Sequence, residues 1–287
     1  MSDIGKPLEW TAQQWNTVQQ AIYEEARKAR VAARFLPLYG PLPADAETVP
    51  AELLEPEAHE HGFERQRLHV NDEAVLRLTT IAVNVYLNSQ QIAQPDLSAA
   101  LTLFRRAANY IARVEDALIF RGRAGLELHI PNVYRVTGGI PEKGLYDYGR
   151  KVRLPLNTGS ELLTAVARGI TELEDQGYVG PYALALGNDL FVAAETPDRG
   201  SLVLPSDRIR PLIEGPMVRT GTLPAKSGIL LSLAGKPAEI VVASEIAATF
   251  LQVSAEPRWI YRISERFVLR VKEPQSMLTL EHEGAQP

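Results

Sequence analysis

The sequence predicts an α+β fold, on three observations. Apolar residues recur at helical spacing over residues 11–35, 96–120 and 160–176. A two-residue alternation runs from about Glu73 to Leu87. The last third of the chain alternates in the same way, with Gly and Pro turns between the runs.

Taken in order, Thr11 to about Phe35 reads as a helix. Thr11 and Gln14 stand at capping-box spacing, and Trp15, Val18, Ile22, Ala26 and Ala29 form one stripe. Leu36-Pro37-Leu38-Tyr39-Gly40-Pro41 ends it, because proline cannot continue the hydrogen-bond ladder. Residues 43–68 crowd Asp45, Glu47, Glu52, Glu55, Glu57, Glu60 and Glu64 around prolines, with little periodicity, so they bury little of their own apolar surface. Followed by the alternating run 73–87, this acidic stretch reads as an arm reaching out of the domain.

The next helix, capped by Asp96 or Ser98, carries Leu97, Leu101, Phe104, Ala108, Ile111 and Leu118 at a 3.6-residue period. Running to Phe120, it spans about 35 Å, until Gly122 and Gly125 break it. Residues 126–158 read as strands joined by turns. A helix from Ser160 to Gln176 follows, closed by Gly177, then Gly180-Pro181 and an apolar strand from Tyr182 to Leu186. Asn188-Asp189 caps a helix that stops at Pro197, Asp198-Arg199-Gly200-Ser201 is an exposed turn, and Ser206 starts a short helix through about Arg210. Strands are expected at Ile229–Leu233, Glu239–Ala243, Trp259–Val271 and Met277–Leu280, with a turn at Gly235-Lys236-Pro237.

Composition narrows the function. With 45% apolar residues over 287 positions the chain builds a proper core. No 18-residue apolar run exists to cross a membrane, and the first residues lack a secretory pattern. The absence of cysteine excludes disulfides and thiolate chemistry, which fits a cytoplasmic protein. A net charge of -5 argues against sequence-independent nucleic-acid binding. Arg105, Arg106 and Arg113 read as a solvated or intersubunit face.

Reaction chemistry is scarce. His59-Glu60-His61 beside Glu55 and Glu57 offers imidazole and carboxylate donors, but in a Pro-rich acidic stretch without rigid support it reads as a solvated loop. There is no Glu-x-x-His pair, G-x-G-x-x-G or G-x-S-x-G. Gly228…Gly235-Lys236-Pro237 has the wrong spacing for a phosphate loop. Glu115 and Asp116 are adjacent on a helix and point about 100° apart, which favours a structural ion pair over paired catalytic carboxylates. No catalytic residue, metal or cofactor is expected.

Four ordered segments carry a resemblance: Arg34-Phe35-Leu36 through Tyr39-Gly40-Pro41; Glu115-Asp116-Ala117-Leu118-Ile119-Phe120-Arg121-Gly122; Gln176-Gly177 with Gly180-Pro181-Tyr182-Ala183-Leu184; and Arg262 to Leu280 with its Glu-Arg-Phe-x-Leu-Arg-Val core. Each is weak alone, but the ordered set spans nearly the whole chain. It resembles the encapsulins, nanocompartment shell proteins of the HK97-type phage capsid fold, most closely their family 1 type.

The resemblance implies a peripheral domain from 1–44, 82–150 (with the long spine helix) and 254–287, an extended loop at 45–81 that grips a neighbouring subunit, and an axial domain at 151–253. It further implies an icosahedral homo-oligomer (T=1 or larger) that encloses a cargo protein and gates small solutes. The cargo, a ferritin-like iron-storage protein, a peroxidase or similar, docks by a C-terminal targeting peptide. Five-fold pore-lining positions fall on Glu195, Thr196, Asp198, Arg199, Gly200 and Ser201, where Glu195 and Asp198 favour cations and Arg199 partly offsets them. Cargo-peptide positions fall on Arg34, Phe35, Leu36, Leu38, Ile246 and Phe250. Pro37 stands where many relatives carry an acidic residue, which shifts the expectation to apolar docking. A phage-type major capsid protein of the same fold and a soluble hydrolase with a dispersed active site are the competing readings.

Overall fold

The computed structural model describes residues 10–57, 67–71, 73–128, 130–256 and 258–283. In chain order the elements are α1 (Ala12–Ala29), β1 (Leu38–Tyr39), β2 (Thr48–Pro50), β3 (Leu53–Glu57), β4 (Arg67–Asn71), β5 (Val75–Arg77), β6 (Thr79–Asn88), α2 (Ser89–Ile92) and α3 (Ser98–Arg121). Next come β7 (Tyr134–Gly138), α4 (Leu145–Tyr148), β8 (Arg150–Leu154), α5 (Gly159–Asp175), β9 (Tyr182–Leu186), α6 (Asn188–Ala194), α7 (Pro205–Ile213) and β10 (Glu214–Arg219). The chain closes with β11 (Ser227–Ser232), β12 (Ala238–Val253), β13 (Arg258–Val271) and β14 (Met277–His282).

Two five-stranded sheets organise the chain, ordered β1-β12-β13-β6-β7 and β10-β9-β11-β14-β8. The first is covered by α1 and α3. The second separates two cores by strand alternation: Leu184, Leu186, Leu230, Leu278 and Leu280 face α5 and α7, while Ala185, Ile229 and Leu231 join the core around α3. Both faces of β9 and β11 are therefore buried, which is why those strands read as continuous apolar runs. Strands cross between segments: β12 pairs with β13 in the first sheet, and β14, from the end of the chain, pairs with β11 and β8 in the second.

The capping box at Thr11 and Gln14 is present, but α1 stops at Ala29 rather than near Phe35. The cause lies on α3. Asp116 accepts the N–H of Val31 at 2.8 Å and of Ala32 at 2.9 Å, two donors that a continuing helix would spend on its own carbonyls. A 3-10 turn, Ala32–Arg34, follows. The guanidinium of Arg34 returns to the Arg30 and Lys28 carbonyls at 3.0 and 2.9 Å, closing the helix end with a positive charge.

The spine helix α3 has 24 residues, about 36 Å at the α-helical rise, and its stretch Val114–Phe120 is buried on all sides. Gly122 ends it at φ +54, and a Cβ on Gly125 would collide with the Ala117 carbonyl. The alternating run 73–87 is two strands rather than one. At Leu78 the side chain turns into a small core with Val49, Val241 and Val268, and the backbone bonds Glu47 and Gly139 instead of a ladder neighbour.

The acidic stretch is a ribbon in its described part. β2 pairs with β5 and β3 with β4, both antiparallel, and neither pair joins a five-stranded sheet. Its root is clamped to the body. Arg270, 1% exposed, donates to Glu239 at 2.8 Å and Glu52 at 2.6 Å, and its guanidinium lies 4.7 Å from the Tyr39 ring. Lys272 bridges the same two glutamates at 2.9 and 3.2 Å.

Candidate functional site

Three features are candidates for function: a groove beside α1, the turn after α6, and the ribbon. The groove, about 560 Å³, lies between α1, β1 and β12. Its walls include Tyr23, Leu38 and Ile246, and its floor is a buried ion cluster. Arg30, at the end of α1, holds both Glu115 on α3 and Glu265 on β13. Burial weakens the Arg30 charge, but Glu265 and Glu115 more than offset this and raise its pKa.

Glu115 is raised chiefly by burial against the pull of Arg30, and Glu265 lies well above the usual range through burial and then the charge of Glu115. Asp116 is pushed up to about 7 by burial and by Glu115, although the Val31 and Ala32 N–H groups oppose it. One oxygen of Glu265, Oε1, is buried without a hydrogen-bond partner. A structural ion pair is present at Glu115, while Asp116 binds backbone N–H groups instead. Arg30 and Glu265, the partners of Glu115, are 85 and 150 residues from it, beyond any motif spacing.

The six positions assigned to cargo docking do not form one surface. Arg34, Leu38 and Ile246 line the groove. Phe35 and Leu36 turn to a separate cavity of about 280 Å³ with Leu231 and Lys236, where Phe35 tilts against Phe120 at 6.2 Å. Phe250 sits farther along β12 against Tyr261, in an aromatic cluster with Trp10, Trp15 and Phe104 that the sequence did not reveal. Phe250 lies four residues beyond Ile246 on β12, about 13 Å along the strand, and Phe35 and Leu36 lie on the segment that follows α1.

In the turn after α6, Glu195 faces back to α7, accepting from Ser206 and Arg210 at 3.1 Å each. Asp198 accepts the Ser160 hydroxyl, and its carbonyl receives the Ser201 N–H at 3.0 Å. Thr196 bonds the Val192 carbonyl at 2.7 Å, and Gly200 takes φ +80. Arg199 projects outward without an ion pair among the described residues. Leu202, beside it, is 101% exposed, and Val192 and Val203 are exposed nearby.

His59-Glu60-His61 and His129 lie outside the described residues. Among the described residues no cluster of three metal-ligating side chains occurs, and no helix is long and apolar enough to cross a membrane. His282 Nδ1 accepts the Leu156 N–H at 3.1 Å, a structural role.

A spine helix crossing one sheet, a second sheet with its own helical cover and a ribbon outside both sheets define the HK97-type capsid fold. Solved structures agree. The chain is similar to the virus-like particle of Pyrococcus furiosus, at TM-score 0.67 and 13% identity over 94% of this chain and 100% of that one. It is also similar to the capsid of Myoviridae phage XM1, at TM-score 0.58 and 13% identity over 86% and 89%.

The Linocin_M18 profile, described as "Encapsulating protein for peroxidase", matches residues 7–268, and the chain belongs to that family, the encapsulins. It is 26% identical to the type 1 encapsulin shell protein EncA of Myxococcus xanthus, over 95% of this chain and 94% of that protein. It is 25% identical to the type 1 encapsulin shell protein of Rhodospirillum rubrum, over 98% and 96%.

Proposed function

We propose that copies of this chain close into an icosahedral hollow particle in the cytoplasm, enclose a cargo enzyme held by its C-terminal peptide, and admit small solutes at the turn 195–201. One observation supports this most directly. Among the described residues the strands β2–β5 ladder only with one another, tied to the body by the Leu54 N–H on the Lys272 carbonyl, so the rest of the ribbon's edge is left for a neighbouring copy to cover. On this reading residues 1–44, 82–150 and 254–287 form the peripheral part, 45–81 the subunit-gripping arm and 151–253 the axial part.

The chain serves as wall rather than catalyst. The cargo face is the groove of Arg34, Leu38 and Ile246, whereas Phe35, Leu36 and Phe250 lie outside it. An iron-storing or peroxidase-type cargo fits a compartment that separates reactive chemistry from the cell. Electron microscopy with mass measurement of the purified protein tests the assembly and should give uniform hollow particles. A stable monomer or dimer at micromolar concentration near neutral pH would overturn it. For docking, L38D with I246D should yield shells that lose the protein co-purifying with the native particle.

A further inference from the structure

Arg30 and Arg270 each meet two glutamates, so the charges at the groove floor and at the ribbon's root are matched. A second cavity, of about 980 Å³, is built differently. Its walls come from the end of α1, from α3, from Leu128 and Ile130, from α6 and from the end of β10. Three arginines, Arg34, Arg113 and Arg219, line it against one acid, Asp116. Both oxygens of Asp116 accept backbone N–H groups rather than a guanidinium. Burial, and then Glu115, pushes its pKa up to about 7, which weakens its negative charge. Positive charge is therefore in excess here, in a chain whose net charge is -5.

The donors around this cavity are held in place and unspent. Arg34 is tethered through Nε and one terminal nitrogen to the Arg30 and Lys28 carbonyls, which leaves its other terminal nitrogen unbonded among the described residues. Arg219 lies 5.7 Å from the Phe191 ring, and Arg113 stands on α3 just before its fully buried stretch. Neither has an ion-pair partner among the described residues, and the Asn188 side-chain amide has no hydrogen bond there either. The Thr220 and Thr222 hydroxyls are 2.7 Å apart. Such a pair uses one of its two protons and leaves the other for an outside acceptor.

Guanidinium groups match phosphate oxygens in pairs and keep their charge at any working pH. Several of them around one cavity, with hydroxyl and amide donors beside them, suit an anion with two or more charges. The volume lies in the range of small-molecule sites, and Leu128, Ile130 and Met217 add an apolar wall.

We propose that this cavity binds a diphosphate group, free or carried on a small organic molecule, with its oxygens on Arg113, Arg219 and Asn188. The site is formed within one chain. It therefore depends neither on how copies meet nor on what docks in the groove beside α1.

Equilibrium dialysis of the purified protein at low salt, with pyrophosphate, ADP and adenosine as probes, tests the site. Pyrophosphate and ADP should bind at a single site per chain, and adenosine should not. R113S/R219S, at two exposed positions, should weaken both anions about ten-fold or more, as expected for losing charge-assisted hydrogen bonds. R105S, on the same helix but outside the cavity, should bind as the parent does. ADP binding more tightly than pyrophosphate would assign the apolar wall to an organic body, and equal affinities would assign the site to the free anion. Absence of binding by both anions at millimolar concentration would overturn the site. Adenosine binding as well as ADP, or R113S/R219S retaining the parent's affinity, would overturn it too.

Discussion

At Glu265 burial and charge oppose each other, and the balance has a measurable sign. Burial first, then the neighbouring Glu115, lifts its pKa well above the ordinary 4.5, so the folded state binds the proton more tightly than the unfolded chain. Its stabilising share is therefore fully present below pH 4.5 and is lost as pH rises through the raised value. E265Q keeps the shape without the titration. In calorimetry it should match the parent near pH 4 and unfold at a higher temperature at pH 9. A parent that equals E265Q at both pH values would refute this account of the cluster. Arg270 is the inverse case. Removing it strands Glu239, which is 4% exposed. R270A should cost about 3–5 kcal/mol in denaturant unfolding, softened by Lys272, whereas R270M with E239L should cost little.

Among the elements, those with a local cause were legible in the sequence. The Thr11 capping box, the α3 stripe, the turn at Gly177 and the apolar β9 all follow from neighbours within a few residues. What the sequence could not reveal came from afar: the early end of α1 is imposed by Asp116, and the break at Leu78 by a core drawn from β2, β12 and β13. β12 was read as 239–243 because its bulges interrupt the alternation, although it continues to Val253. The ribbon hid for another reason, since a two-stranded arm needs no buried face of its own and leaves no periodic stripe. Of the groove, Arg34, Leu38 and Ile246 were identified by resemblance, while its floor at Arg30 and Glu265 had no local signal. If the arm's role is to grip a neighbour, removing its outer ribbon, residues 53–71, spares the buried Val49 and the β2–β5 root. That variant should run as small soluble oligomers in size-exclusion chromatography with light scattering. Normal shells from it would end the arm's proposed role.

For the whole molecule, symmetry multiplies whatever stands at an axis. The turn 195–201 presents two charges without an ion-pair partner among the described residues, Asp198, which accepts only the Ser160 hydroxyl, and Arg199, while Glu195 is paired with Arg210. In the proposed pore Arg199 therefore offsets the cation preference that Asp198 brings to the rim. R199S should speed cation entry into intact shells, read with an enclosed metal-sensitive dye, and unchanged entry would exclude this turn from the path. Leu202 stands next to it with its side chain fully in water, and in the proposed particle a neighbouring copy would bury it. Burying one leucine is worth about 1.5–3 kcal/mol, and tenfold in affinity corresponds to about 1.4 kcal/mol. L202D forfeits that term at every copy and sets like charges around the axis. Its threshold concentration for shell formation should rise more than ten-fold, while the unfolding temperature of the dissociated subunit stays the same. An unchanged threshold would place Leu202 outside any contact between copies.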